Sequence, residues 1–212
     1  MSNSEIKYLK KEKWYHGTTL HGLKEICRIG IKADYNEGNE LDFGYGFYLT
    51  PIKKQAEQFI LKLLEFKDDM SLDFIEDDEN NLKDLKTPVV LEFNLVPLEW
   101  YESNKYNFKI LNNYDDEFAE FVFKNRIYNL HGENQHNYDF IFGVMSDSLP
   151  TLLIQKYKNS EIDKETVIEG LKKTTSCKQL SIHNQSICDI IKINKAYNLQ
   201  TGEELIIDDY CK

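Results

Sequence analysis

The chain has 212 residues, with 26 Lys and Arg against 36 Asp and Glu, a net charge of −10. That length suits one domain, or one domain with insertions, and 41% hydrophobic with 13% aromatic residues can build a packed core, which excludes a disordered chain. The negative balance disfavours nucleic acid and anionic membrane as partners, because both call for a basic surface.

Trp14 to His16 reads as a short strand ending at Gly17. Thr18 or Thr19 then caps a helix carrying Leu20, Leu23, Ile26 and Cys27 at helical spacing, and Gly30 stops it. Asp42 to Thr50, DFGYGFYLT, reads as a glycine-containing loop entering a short strand. Pro51 suits a helix start, and Ile52, Ala56, Phe59, Ile60, Leu63 and Leu64 form one apolar stripe. Asp68 to Asp84, rich in acids and Asn, predicts a solvated surface insertion.

After Pro88, VVLEFNLV predicts a strand covered on both faces. Asp116 to Lys124 predicts a helix burying Phe118, Phe121 and Val122. FIFGVM, 140–145, predicts a second buried strand. Asp163 to Lys173 is a modest amphipathic helix, 179–183 a short strand, and Ser186 to Ile191 a helical turn or two. ELIIDD closes the pattern with a last short strand. No repeat or linker divides the chain, so one α+β domain spanning 1–212, with the insertion at 68–84, is expected.

Cys27, Cys177, Cys188 and Cys211 have long uneven gaps and no CxxC pair, so neither a disulfide framework nor a zinc site is expected. His21, His131, His136 and His183 show no metal spacing and read as surface or loop residues. The start lacks the apolar segment of a signal peptide, and no stretch reaches the ~18 apolar residues of a membrane span. The expectation is a soluble, cytoplasmic, metal-free protein.

Two segments carry the chemistry: Tyr15-His16-Gly17-Thr18-Thr19, and Asp42-Phe43-Gly44-Tyr45-Gly46-Phe47-Tyr48-Leu49-Thr50. With Gly30 to Lys32 (GIK) and Gln55-Ala56 between and after them, their order resembles that of the ADP-ribosyltransferase superfamily. The chain is most similar to a bacterial, toxin-like branch carrying YHGT, DFGxGFYLT, an NR pair and YDxxxG. Here the last two read Asn125-Arg126 and Tyr138 to Gly143, followed by Asp147.

The resemblance implies a split two-sheet core with helices packed on it, NAD+ as substrate, and an antitoxin-like protein partner. It implies that His16 bonds the adenosine ribose, that Gly17 backbone groups hold the nicotinamide amide beside Thr18, and that Tyr48 stacks on the nicotinamide ring. Backbone amides around Phe43, Gly44 and Gly46 can approach the pyrophosphate, since glycine has no Cβ. Arg126 is read as a bidentate phosphate ligand or a partner of Asp139.

Where the superfamily places a Glu, this chain has Gln179. A glutamine positions a ribose hydroxyl but cannot ionise. Glu117 and Glu120 are the substitute carboxylates, with Glu120 the candidate catalytic one; Asp147 is expected at the end of the FIFGVM strand, near the cleft. The leading function is therefore transfer of ADP-ribose from NAD+ to a macromolecular acceptor. The alternatives are a non-catalytic NAD+ or ADP-ribose-binding module and an RNA 2′-phosphotransferase-like enzyme.

Overall fold

The computed structural model describes residues 3–36, 40–69, 79–128, 135–146, 150–173 and 177–211. The helices are α1 (Asn3–Leu9), α2 (Leu20–Ile29), α3 (Lys53–Asp69), α4 (Glu79–Lys86), α5 (Pro97–Glu102), α6 (Asp116–Tyr128), α7 (Pro150–Lys158), α8 (Lys164–Leu171) and α9 (Gln185–Cys188). One sheet holds, in spatial order, β1 (Lys13–Thr19), β3 (Pro88–Asn94), β7 (Ile193–Asn198) and β8 (Glu204–Leu205), all antiparallel. The other holds β2 (Phe47–Leu49), β6 (Lys178–Ile182), β5 (Phe140–Val144) and β4 (Phe108–Leu111), with only β4 and β5 parallel. The fold is α+β with two sheets and helices packed on them.

The edges β1 and β2 meet at one point. Tyr15 and Thr50 exchange both backbone hydrogen bonds, at 2.8 and 2.9 Å, as an isolated antiparallel bridge. One core runs under both sheets and includes Trp14, Phe47, Leu91, Phe93, Phe142 and Leu180. A second core, on the opposite face of the β2 sheet, packs Phe43 and Ile141 against Phe118 and Val122 of α6, Ile154 of α7 and Val167 of α8. Period-2 alternation in β2 and β6 feeds both: Phe47, Leu180 and Ile182 face one core, Tyr48 and Ser181 the other side.

Several expectations are corrected. β1 does not end at Gly17 but runs through it to Thr19, because β3 pairs with it as far as Thr19↔Pro88; Gly17 is glycine because a Cβ there would collide with the carbonyl oxygen of Ala56. Of the two expected caps of α2 the structure selects Thr19, accepting from Gly22 N at 3.1 Å, and Gly30 ends that helix as expected, at φ +76°. Phe59 leaves the buried stripe of α3 and is 45% exposed. The stretch expected as a solvated surface insertion at 68–84 is helical at both ends, in α3 and α4; residues 70–78 lie outside the described residues. β4 and β7, and helices α1, α5 and α7, were not anticipated.

Cys27 and Cys211 form a disulfide across 184 positions, against the expectation from spacing. The gap is long in sequence only: Ile207 and Tyr210 pack into the same core as Ile26 and Cys27, which brings the two sulfurs together. Among the described residues, no helix is long and apolar enough to cross a membrane.

Candidate functional site

The register of β1 on β3 makes an open backbone edge. Leu95 N bonds Glu12 O and Leu20 N bonds Thr87 O, so even-numbered β1 residues exchange hydrogen bonds with β3. The N–H and C=O of Tyr15 and Gly17 therefore turn to the other edge. Tyr15 finds Thr50 there; the sheets then part, and among the described residues no backbone group takes up Gly17 on that side.

Helix α3 crosses this edge. Ala56 O and Ile60 Cβ stand over Gly17, which is why glycine is needed. Lys53 lies 3.4 Å from the centre of the Tyr197 ring, toward β7. Residues three before and three after Ala56 sit about 60° to either side of it on a helix. Phe59 therefore lies on the other side of α3 from Lys53, and it is 45% exposed.

Gln55 clamps the far side of the junction. Its amide donates to Lys178 O at 2.9 Å and accepts from Lys178 N at 3.1 Å. Continuing the β2–β6 register by one pair sets Gln179 opposite Thr50, next to the bridge between the sheets.

Gln179 is only 7% exposed and belongs to a buried polar network. Its Nε2 donates to Asp42 Oδ2 at 3.0 Å and to Val144 O at 3.2 Å. Asp42 also accepts from Arg126 Nε and Nη2 at 2.9 and 2.7 Å, from Ser146 Oγ at 2.6 Å and from Ser146 N at 2.9 Å. Burial alone would raise the Asp42 carboxyl, but the Arg126 guanidinium and the Ser146 bonds outweigh it and hold it below the usual carboxylate range. Asp42 is thus a saturated carboxylate hub tying the 42–46 turn to α6, β5 and β6.

Arg126 is fixed in that hub, and its Nη1 also donates to Glu40 O at 2.9 Å. It does not pair with Asp139, which accepts from Asn107 N and Asn184 Nδ2. This corrects its reading as a free phosphate ligand. Glu120 is also corrected: it is partly exposed and forms a surface ion pair with Lys164, while Glu117 pairs with Lys109.

The glycine loop is closed to an anion at the Phe43, Gly44 and Gly46 amides expected to hold it. Gly44 N donates to Leu41 O at 3.3 Å, and Gly46 N to Asn36 Oδ1 at 2.9 Å. Gly44 is glycine because its φ is +79°, and Gly46 because a Cβ would press on the His183 ring at 2.8 Å. Phe43 N donates to the Tyr48 hydroxyl at 3.0 Å, and that hydroxyl donates to Gly44 O at 2.7 Å. Burial first, and the Asp42 charge second, push the Tyr48 phenol well above its ordinary range. Tyr48 is half-buried beside Phe43, and its hydroxyl is a structural bond rather than an acid.

Three histidines pin the same segment. His16 Nδ1 meets Tyr48 O at 2.8 Å, His136 Nε2 meets Phe43 O at 2.8 Å, and His183 Nδ1 meets Tyr45 O at 2.6 Å. A carbonyl only accepts, so each of these nitrogens carries the proton. Burial lowers the pKa of all three, and His183 is pushed down to about 3 by burial and then by His136. The His136 and His183 rings are 4.5 Å apart, a pairing that spacing did not reveal; both stand in loops, as one of the two expected readings had it, but neither is an exposed surface residue. His16 rests on Phe47 at 4.7 Å, on the face opposite Tyr48 and Gln179. It meets them through the Tyr48 carbonyl, not through a shared side-chain cluster. Asp147 and His131 lie outside the described residues.

A family described as a protein of unknown function (DUF3990) matches residues 13–193. The chain belongs to that family. The DUF3990 stretch begins with the first residue of β1 and ends with the first of β7, so it takes in the bridge, the 42–46 turn, Phe59 and the Asp42 hub. Neither a curated protein nor a solved structure matches the chain.

Proposed function

We propose that the protein is an NAD+-dependent ADP-ribosyltransferase whose cleft is the gap between β1 and β2. One observation carries the reading: the open N–H and C=O of Gly17, two residues beyond Tyr15 of the Tyr15–Thr50 bridge, under a helix that also carries the exposed Phe59. A primary amide such as that of nicotinamide has one donor face and one acceptor, and pairs with such an edge as a short strand would. The ring then lies against Phe59, an interaction worth on the order of 1 kcal/mol beyond burial, with half-buried Tyr48 as a second wall. Gln179 takes a ribose hydroxyl. His16 and Gly46 act through the shape of the 42–48 segment. In the same proposal the activity is toxin-like, and an antitoxin-like protein covers the cleft.

A second reading, a binding module without turnover, is favoured by the chemistry beside Gln179. The nearest carboxylate, Asp42, has its lone pairs occupied and its charge matched by Arg126. Among the described residues no free base stands next to the amide.

Nicotinamide release from NAD+, followed by chromatography, tests both. Release that falls at least tenfold in Phe59→Ala and in Gln179→Ala supports transfer. Saturable NAD+ binding without release supports the module. No binding and no release by folded protein rejects both.

A further inference from the structure

We infer that Asp42 is a positioning residue that holds the Gln179 side chain in one orientation, with its carbonyl oxygen turned to the cleft to accept a hydrogen bond from a ligand hydroxyl. The inference rests on the NAD+ reading for the identity of the ligand, but not for the geometry.

The two neighbours of the Gln179 amide decide which end is which. Asp42 Oδ2 and Val144 O lie 3.0 and 3.2 Å from one terminal atom. A carbonyl oxygen only accepts, and so does an ionised carboxylate. The atom facing both must therefore be the NH2 group, and both of its hydrogens are used. The opposite orientation would set three acceptors against one another.

That leaves Oε1. Among the described residues nothing donates to it. It is also not one of the fully enclosed oxygens without a partner, which are Glu40 Oε2 and Asn125 Oδ1. The acceptor of a side chain 93% withdrawn from solvent thus keeps contact with the outside. It stands opposite Thr50, beside the bridge where the sheets part.

Asp42 cannot turn to release the amide. Arg126 and Ser146 fix Oδ1 at 2.6 to 2.9 Å, and Ser146 N fixes Oδ2 at 2.9 Å. A buried acceptor held this firmly presents its partner at no reorganisation cost when ligand arrives. It also selects by proton: a ligand hydroxyl fits, and an ether, a carbonyl or a missing hydroxyl does not.

The test compares NAD+ with its 2′-deoxy and 3′-deoxy nicotinamide-ribose analogues by calorimetry, in wild type, Gln179→Ala and Asp42→Asn. Wild type is expected to prefer NAD+ over one analogue by about tenfold, one charge-free hydrogen bond to a buried acceptor. Gln179→Ala loses that ratio. Asp42→Asn brings it close to one, because the new amide can offer a donor and lets Gln179 turn over. Both ligands see the same folded fraction, so a loss of stability alone does not move the ratio. A ratio unchanged in Asp42→Asn overturns the positioning role. A second readout needs no ligand: in 15N-labelled wild-type protein both Gln179 side-chain amide protons should exchange slowly with solvent. Exchange at the rate of a free amide overturns the lock. Failure of wild type to bind NAD+ overturns the ligand and the reading it rests on, and the amide signal then decides the geometry by itself.

Discussion

Gln55 pairs with the backbone of Lys178 as though it were a residue of a neighbouring strand, donating to its carbonyl at 2.9 Å and accepting from its N–H at 3.1 Å. β2 ends at Leu49 and its chain leaves toward α3, so the start of β6 loses its strand partner on that side. The glutamine amide replaces it. Buried backbone groups left unpaired cost about 1–3 kcal/mol each.

Gln55→Ala should therefore lower stability by about 1–2 kcal/mol and loosen the first residues of β6. Gln179 is the second of those residues, so the effect on ligand binding should exceed the effect on folding. Urea unfolding and amide exchange at Lys178 and Gln179 check this. Equal exchange in variant and wild type would show that β6 needs no such clamp.

Gly17→Ala probes the contact between β1 and α3. The obstacle is the backbone carbonyl of Ala56, not a side chain that can swing away. Overpacking of this kind costs about 1–3 kcal/mol. Thermal unfolding should show the loss, and NAD+ affinity should fall as well, since α3 must shift away from Gly17, whose open backbone groups carry the proposed site. Full stability in the variant would mean that α3 sits further from β1 than described.

Much of this was legible in the sequence because it is local. The Thr19 cap, the Gly30 stop, the buried runs of β3 and β5, and the start of α8 at Asp163 all follow from residues within a few positions of one another. β7 was not legible: only Ala196 in it is buried, and it is a strand because β3 and β8 pair with it. α7 carried a visible signal in Pro150 at its start and Lys156 and Lys158 in its last turn. The site divides in the same way. Gly17 and Gln179 stand out by position in a pattern, whereas the Asp42–Arg126 pair joins residues 84 apart and Asp42–Gln179 joins residues 137 apart. Glu120 stood out only as a carboxylate near an apolar stripe, and nothing local marks Lys164 as its partner.

The three histidines predict an acid-sensitive turn. Their folded pKa values are lowered by burial, that of His183 from 6.5 to about 3. A group whose pKa is depressed on folding contributes stability above its unfolded value and loses it as pH falls toward its folded value. The protein should thus hold its stability above about pH 6.5 and lose it progressively toward pH 3. A second proton on His136 and His183, with rings 4.5 Å apart, also adds like-charge repulsion. Urea midpoints at pH 7.5, 6 and 5 should fall in that order, and the slope should be shallower in His183→Gln. An equal slope in that variant would remove His183 from the account.

Gln179→Glu looks like a simple route to a catalytic carboxylate, yet the position of Asp42 argues the reverse. The introduced carboxyl would stand at hydrogen-bond distance from Asp42, where the Gln179 amide now donates at 3.0 Å. Two carboxylates in one buried site do not both ionise; one keeps a proton at neutral pH. Asp42 already holds Arg126 and Ser146, so the introduced group is the one raised. A carboxyl whose folded pKa lies above its unfolded one loses stability as pH rises between the two, by about 1.4 kcal/mol for each tenfold drop in proton concentration. The melting-temperature deficit of Gln179→Glu relative to wild type should therefore widen from pH 5 to pH 8. Nicotinamide release at pH 7.5 should not exceed that of wild type, because a protonated carboxyl offers no negative charge to the reacting ribose. The double variant Gln179→Glu with Asp42→Asn removes the competitor and should narrow the deficit at pH 8. A constant deficit across pH in the single variant would show that residue 179 does not share its site with Asp42.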